Sequence, residues 1–206
     1  MRRLLPALLL LALGACVRNP APKVVPMPAA VVVPAAPSVP AAPMTAAELL
    51  RSRELMVPVA GVRPDQLRDT FNEARSGGRT HRALDILAPR GTPVIAADDG
   101  VVYRVRHNAL GGLTVYALDA TAQLVYYYAH LDHYAAGLAE GMPLAKGDVI
   151  GYVGTTGNAP RDTPHLHFQV MRLEEVKRYW DGPPLDSRLF FVLDGRANGT
   201  DRQGAR

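Results

Sequence analysis

Short apolar runs separated by turn residues occupy residues 94–171. The runs are 94–97, 100–105, 113–118, 123–128, 149–153 and 165–171, punctuated by Asp98-Asp99-Gly100, Gly111-Gly112, Lys146-Gly147-Asp148 and the 154–158 stretch. Many short β-prone segments at close spacing predict a mainly all-β domain with a compact antiparallel sheet core. Upstream, Thr45-Ala46-Ala47-Glu48 has the form of a capping box and opens a helix to about Leu55. A second short N-terminal helix is expected over 64–74, with Asp65 near its start and Ser76-Gly77-Gly78 closing it. After Arg172 the pattern weakens into Tyr179-Trp180-Asp181-Gly182-Pro183-Pro184 and a last apolar run at 189–193. The polar tail at 195–206 is expected to be disordered.

The N-terminal end has a different pattern. Arg2 and Arg3 precede an apolar stretch at 4–13, broken only by Pro6 and followed by Gly14-Ala15-Cys16. These are signal-peptide proportions, too short for a membrane-spanning helix. Residues 18–43 are almost wholly Pro, Ala and Val, with proline at 20, 22, 26, 28, 34, 37, 40 and 43. Proline at that density denies helix and ladder hydrogen bonds and favours an extended spacer. At about 3.1 Å per residue such a tether reaches roughly 80 Å. The expected organisation is a signal peptide at 1–15, a tether at 16–44, a helical lead-in at 45–74, a β domain at 75–194 and a tail at 195–206.

Composition narrows the function. Lys+Arg is 23 against Asp+Glu 19, a formal charge of +4. Removing 1–15 takes away Arg2 and Arg3 and no acid, leaving 21 against 19, or +2. A charge that small is not the footprint of a nucleic-acid binder, so no nucleic-acid partner is expected. Cys16 is the one cysteine, which excludes a disulfide framework and a cysteine-based zinc site. Any metal here must be held by His and carboxylate.

Six histidines are present, at 81, 107, 130, 133, 165 and 167. In Pro164-His165-Leu166-His167-Phe168-Gln169-Val170, strand alternation puts His165, His167 and Gln169 on one face and Leu166, Phe168 and Val170 on the other. Two imidazoles then sit side by side on a rigid element, although an exposed polar face would have the same pattern. His81 and Asp85 are four residues apart, about 13 Å on a straight strand and too far for ligand bonds of about 2 Å to one zinc. A bend between them is therefore expected, with small Ala83 letting the backbone pass close. Tyr126-Tyr127-Tyr128-Ala129-His130-Leu131 delivers His130 at a strand end. His107 and His133 read as surface residues.

Together these pieces resemble the M23 (LytM, or lysostaphin-like) metallopeptidases. The resemblance runs over 78–170 and rests on His81-x-x-x-Asp85-Ile86, Ala88-Pro89-Arg90-Gly91-Thr92-Pro93-Val94, Asp99-Gly100-Val101-Val102 and Tyr128-Ala129-His130-Leu131. It continues through Lys146-Gly147-Asp148-Val149-Ile150-Gly151 and Gly154-Thr155-Thr156-Gly157 to His165-Leu166-His167-Phe168. It implies a LytM-like fold of barrel-sandwich type, zinc held by His81, Asp85 and His167, and His130 and His165 as the catalytic pair. Ala83 departs from the glycine most members have there, by one methyl group. Asn158 and the 154–157 turn resemble a rim loop that grips substrate backbone. Leu13-Gly14-Ala15-Cys16 likewise resembles a bacterial lipoprotein signal, with a plain secretion signal and an incidental cysteine as the alternative. That resemblance implies a lipid on Cys16, and Val17 instead of Asp after it implies the periplasmic face of the outer membrane.

The chemistry agrees with the resemblance. Two neutral imidazoles and one carboxylate leave Zn²⁺ a net positive charge and an open position for water, which zinc acidifies while polarising a carbonyl. Without a His-Glu-x-x-His motif, a histidine must supply the general base, and His130 and His165 are not distinguished as its source. The implied function is a zinc metalloendopeptidase that cuts peptide cross-links of peptidoglycan. The alternative is a non-catalytic LytM-type envelope lipoprotein that regulates a cell-wall amidase. Members of that kind typically lack some of the five residues, and here all five are present. A purely structural metal would ask for four protein ligands where three are offered.

Overall fold

The computed structural model describes residues 44–192. The signal-like stretch, Cys16, the Pro/Ala-rich segment and the tail lie outside the described residues. The described part is mainly antiparallel β-sheet, as the pattern of short apolar runs predicts.

One helix leads in. α1 (Ala46–Arg53) begins at Thr45, whose hydroxyl accepts from the Glu48 N–H at 3.2 Å while the Glu48 carboxylate accepts from the Thr45 N–H at 2.8 Å. It ends where Glu54 turns left-handed at φ 49. Leu49 and Leu50 face the core. The second expected helix does not form: Pro64–Gln66 is a single 3₁₀ turn and the backbone beyond it is irregular. Its hydrogen-bonding groups are committed elsewhere. Phe71 and Glu73 give their carbonyls to the Arg82 and His81 N–H groups, and the Thr70 hydroxyl bonds Ala83 O and the Asp85 N–H. Tertiary partners of this kind override a modest helix propensity.

A two-stranded hairpin, β1 (Ala74–Arg75) and β2 (Arg79–Thr80), stands apart from the main sheet. The main sheet contains β3 (Leu84–Leu87), β4 (Pro93–Ile95), β5 (Gly100–Asn108), β6 (Gly112–Asp119) and β7 (Leu124–Tyr134). It is completed by β8 (Pro143–Leu144), β9 (Val149–Val153), β10 (His165–Arg172) and β11 (Pro184–Leu185). The strand order is β11-β10-β7-β6-β5-β8, with β3 on β10 and β9 joined to both β4 and β7. Every pairing between these strands is antiparallel.

Strand alternation places the core on one face. Leu84 and Ile86 of β3, Leu166, Phe168 and Val170 of β10, and Tyr126 and Tyr128 of β7 are all buried together. The Tyr128 and Phe168 rings are 5.2 Å apart, and Tyr126 stacks on Phe168 at 6.4 Å. Both tyrosine hydroxyls are satisfied, Tyr128 accepting from the Ala97 N–H at 3.0 Å and Tyr126 donating to Asp98 Oδ2 at 2.7 Å. The opposite face of β10, between β3 and β7, is left for the histidines.

A buried charge cluster pins α1 to this sheet. The Asp119 side chain is fully buried and accepts from the Gln123 and Leu124 N–H groups at 2.6 Å and from Arg53 Nη2 at 2.6 Å. Lys146 Nζ donates to the carbonyls of Arg53 and Glu54 at 2.7 and 2.9 Å, a cation at the helix C-terminus. Burial alone would raise the Asp119 carboxyl, but its bonds from Thr121, Leu124 and Gln123 outweigh it and hold the group below the usual range. A carboxylate depressed in the folded state stabilises fully above the ordinary aspartate pKa of about 3.9, and that stability is lost as pH falls through the folded value. Asp119→Ala takes the 2.6 Å carboxylate from Arg53, leaving Thr121 and the more distant Asp98, and strips the Gln123 and Leu124 N–H groups of their acceptor. It is expected to cost about 3–5 kcal/mol in urea unfolding at pH 7. The deficit should shrink as both proteins are taken below pH 4. A loss under about 1 kcal/mol at pH 7 would show that the cluster does not hold the helix.

Candidate metal centre

The site starts from strand register. β3 and β10 pair Asp85 with His167 and Leu87 with His165, while β10 and β7 pair His167 with Ala129. Residues opposite each other on an antiparallel pair project to the same face. His165, His167 and Gln169 therefore look away from Leu166, Phe168 and Val170, which are 0% exposed. Asp85 Oδ1 lies 3.0 Å from His167 Nδ1 as a direct consequence.

His81 arrives from the other side of a bend. The backbone reverses between β2 and β3 with Arg82 left-handed at φ 57, an uncommon conformation for a residue with a Cβ. Bonds from the His81 and Arg82 N–H groups to Glu73 O and Phe71 O hold the reversal. His81 Nε2 is thereby 3.0 Å from Asp85 Oδ1 and 3.0 Å from His167 Nδ1. The spacing of His81 and Asp85 predicts this bend. The residue that turns is Arg82, while Ala83 is buried with its carbonyl on Thr70.

His130 reaches the same place by a different device. β7 pairs with β10 up to Ala129 and with β9 from Leu131 on, so His130 sits where the strand changes partner. His130 is left-handed at φ 62, and the β6–β7 register shifts between Leu113 and Val115. An irregularity of this kind re-aims a side chain. Ala129 and His130, neighbours in sequence, both line the cleft.

Three of the rings are locked by threonine carbonyls. His81 Nδ1 meets Thr70 O, His130 Nδ1 meets Thr156 O and His165 Nδ1 meets Thr163 O, each at 2.8 Å. A carbonyl only accepts, so in the neutral ring Nδ1 carries the hydrogen and the Nε2 lone pair is left bare. His165 Nε2 lies 3.8 Å from Asp85 Oδ1. The His130 ring centre is 5.0 Å from that of His165 and 5.7 Å from that of His167.

Thr156 does more than hold one ring. Its hydroxyl donates to Leu131 O at 2.7 Å and accepts from the Leu113 N–H at 3.0 Å, tying the 154–158 loop to both strands beside His130. Gly157 is left-handed at φ 73, and a Cβ there would lie 2.3 Å from Gly112 N and 2.3 Å from Leu110 O. Only glycine allows the two loops to meet this closely.

Electrostatics favour neutral His130 and His167 and a charged Asp85. Burial pushes the His130 pKa down to about 4, helped by the neighbouring His167 and His165 and opposed by the Thr156 carbonyl. Burial likewise lowers His167, against the pull of Asp85. Burial would raise Asp85, but its close contacts with His167 and His81 outweigh it and hold the group well below the usual carboxylate range. Neutral imidazole and ionised carboxylate are the states that bind metal.

Among the described residues, His81, Asp85 and His167 form a cluster able to hold a metal ion. It lies in a cleft of about 820 Å³ that Tyr127, Asn158 and Trp180 also border. The five residues singled out for the site therefore converge, and Asn158 stands on the rim with its N–H on Leu110 O at 3.0 Å. His107 is exposed on β5, and His133 bonds Asp132 at 2.9 Å and stacks on Tyr152, both away from the cleft residues. Two features have no counterpart in the sequence reading: the threonine carbonyls, and Arg75, which reaches from the β1–β2 hairpin to Asp85 Oδ2. A backbone acceptor has no residue signature, and Ser76-Gly77-Gly78, expected to close a helix, instead turns a hairpin.

Comparison with known proteins gives the same answer. Residues 79–180 match Peptidase family M23. The L-Ala–D-Glu endopeptidase of Bacillus subtilis is 37% identical over 124 residues, 57% of this protein and 37% of that one. The peptidoglycan DD-endopeptidase ShyC of Vibrio cholerae is 34% identical over 93 residues, 45% of this protein and 20% of that one. The crystal structure of Helicobacter pylori Csd3 superposes with a TM-score of 0.53 at 27% identity, covering 70% of this protein and 38% of its own length. The match thus spans well under half the length of the two curated relatives. With the fold, the His/Asp cluster and this match in agreement, residues 79–180 are a peptidase M23 domain.

Proposed function

We propose that the protein is a zinc-dependent endopeptidase that hydrolyses peptide bonds in peptidoglycan. One observation carries the proposal: His81 Nε2, Asp85 Oδ1 and His167 Nδ1 converge at 3.0 Å while the catalytic-pair candidates His130 and His165 flank them. Tetrahedral zinc with bonds of about 2.0–2.1 Å spaces its ligands about 3.3–3.4 Å apart, close to the triangle seen here. Three protein donors of N, N and O type are what a catalytic zinc site offers, and a fourth position stays open. When bound, zinc supplies Lewis acidity toward a carbonyl and lowers the pKa of a nearby water.

The protein's own residues do the rest. Asp85 and His167 are held by ladder register and His81 by the Thr70 carbonyl, so the donors are preorganised. His130 and His165 present bare Nε2 lone pairs, which can take a proton from the attacking water and return it to the leaving amine. Their carbonyl anchors fix both tautomers, so neither ring must reorient. The 820 Å³ cleft has room for an extended peptide. The substrate class is supported by the curated relatives, which are named for L-Ala–D-Glu and DD-endopeptidase activity. All five residues are present and close together, which favours catalysis over the regulatory alternative.

Zinc-loaded protein is expected to shorten cross-linked muropeptides. His165→Ala and His130→Ala should each lower kcat by about 10²-fold or more with metal content unchanged. A chelator should abolish turnover and added zinc restore it. Unchanged cross-linked dimers, or wild type indistinguishable from His165→Ala, would sink the proposal.

We infer further that the protein works at the periplasmic face of the outer membrane, held by a lipid on Cys16 and the 18–43 spacer. The support is the Leu13-Gly14-Ala15-Cys16 sequence and the proline density that follows it. Expressed in an envelope-competent host, the full-length protein is expected in the membrane fraction and Cys16→Ser in the soluble one. Equal partition of the two would rule the lipid anchor out.

A further inference from the structure

A second cavity, of about 160 Å³, adjoins the cleft along the edge of β3. Gly61, Val62, Gln66 and Leu67 form one side and Ile86 part of the other, while Arg68, Asp85 and Leu87 border both this cavity and the cleft. Its outer wall comes from the segment before residue 79, so it lies outside the stretch that matches the family. The volume is below the roughly 300–1,000 Å³ of a small-molecule site, which leaves room for one side chain or peptide terminus.

The polar groups at its walls define what fits. Three arginines border the cleft: Arg68, Arg75 and Arg79. Arg75 is engaged by Asp85 and by Glu73, 3.8 Å away, and Arg79 is engaged as well. Arg68 is exposed and makes no hydrogen bond or ion pair among the described residues. Gln66 accepts from the Arg63 N–H through Oε1 at 2.8 Å, which leaves its NH₂ as a donor. Asp85 adds no open acceptor, because Oδ1 faces His81 and His167 and Oδ2 meets Arg75. The neighbouring Asp69 is paired with Arg188 at 3.3 Å. Two donors, one of them a full positive charge, therefore border a cavity that Val62, Leu67 and Ile86 also line, and the acids beside it are paired.

We infer that this cavity is a substrate subsite that takes a carboxylate, with Arg68 as its cation and the apolar lining receiving the methylenes that carry it. Because Asp85 borders both spaces, the carboxylate belongs to a residue close to the scissile bond. The inference rests on the peptidase reading and names a specificity determinant within it. The carboxylate can come from an acidic side chain or from a peptide C-terminus, and guanidinium recognition is the same for both.

The test uses the full-length protein, zinc-loaded and carrying His165→Ala so that peptide is bound and not consumed. The probes are a synthetic stem peptide containing L-Ala–D-Glu with free carboxylates, the same peptide with the acidic side group amidated, and the same with the C-terminus amidated. Titration calorimetry should show Arg68→Ala binding the free-acid peptide about tenfold more weakly, with Arg68→Lys recovering part of the loss. One amidated peptide should bind the parent about tenfold more weakly and should not distinguish the parent from Arg68→Ala; which one it is identifies the source. With His165 restored, Arg68→Ala should raise KM about tenfold in muropeptide hydrolysis and leave kcat within about threefold. Equal binding of the free-acid peptide by parent and Arg68→Ala overturns the inference. So does an equal loss for all three peptides, or no binding of the free-acid peptide to the parent. Absence of hydrolysis by wild type fails the peptidase reading separately, and binding still decides the subsite.

Discussion

Asp85 and His167 are direct neighbours across the β3–β10 ladder, and most of the site follows from that pairing. A slip of β3 by one residue would send Asp85 to the face opposite His167. What prevents the slip is the core itself, because Leu84, Ile86, Leu166 and Phe168 must stay buried on the other side of the same two strands. Site geometry and fold stability are thus one constraint seen from two faces. The functional atoms sit on a ladder whose register the hydrophobic effect sets, and positioning them needs little beyond it.

The remaining histidines are placed by backbone. Three imidazoles rest on three threonine carbonyls at the same 2.8 Å, and two of those threonines are themselves tied down through their hydroxyls. Carboxylates often perform this orienting role beside metal-binding histidines. Here the acceptors are neutral, so they fix the tautomer without adding negative charge to the cleft. Side-chain substitution at Thr70, Thr156 or Thr163 leaves the carbonyl in place, so alanine scanning understates what these positions do.

Much of this is legible in the sequence, for identifiable reasons. The capping box at Thr45 and Glu48 is a local signal, and it marks the helix. His165 and His167 share a face because strand periodicity is short-range and strict. The bend before Asp85 follows from distance once His81 and Asp85 are taken to share one metal. The 64–74 segment reads as helical and is not, because its bonds go to residues 81–85 and its own sequence does not show them. Only resemblance identifies His130, since its orientation comes from a strand changing partners at a left-handed residue. Arg75 and Arg68 escape for a related reason: the tertiary fold, not the local sequence, sets Asp85 beside one and the side cavity beside the other.

The central claim is that His81 Nε2, Asp85 Oδ1 and His167 Nδ1 together hold one catalytic zinc. Anomalous diffraction at the zinc edge, from crystals of the zinc-loaded protein, tests it most directly. The account predicts one dominant peak per molecule, about 2.0–2.2 Å from each of those three atoms, with a fourth position unfilled by protein. A peak ligated by other residues, or a fourth protein ligand closing the site, would contradict it.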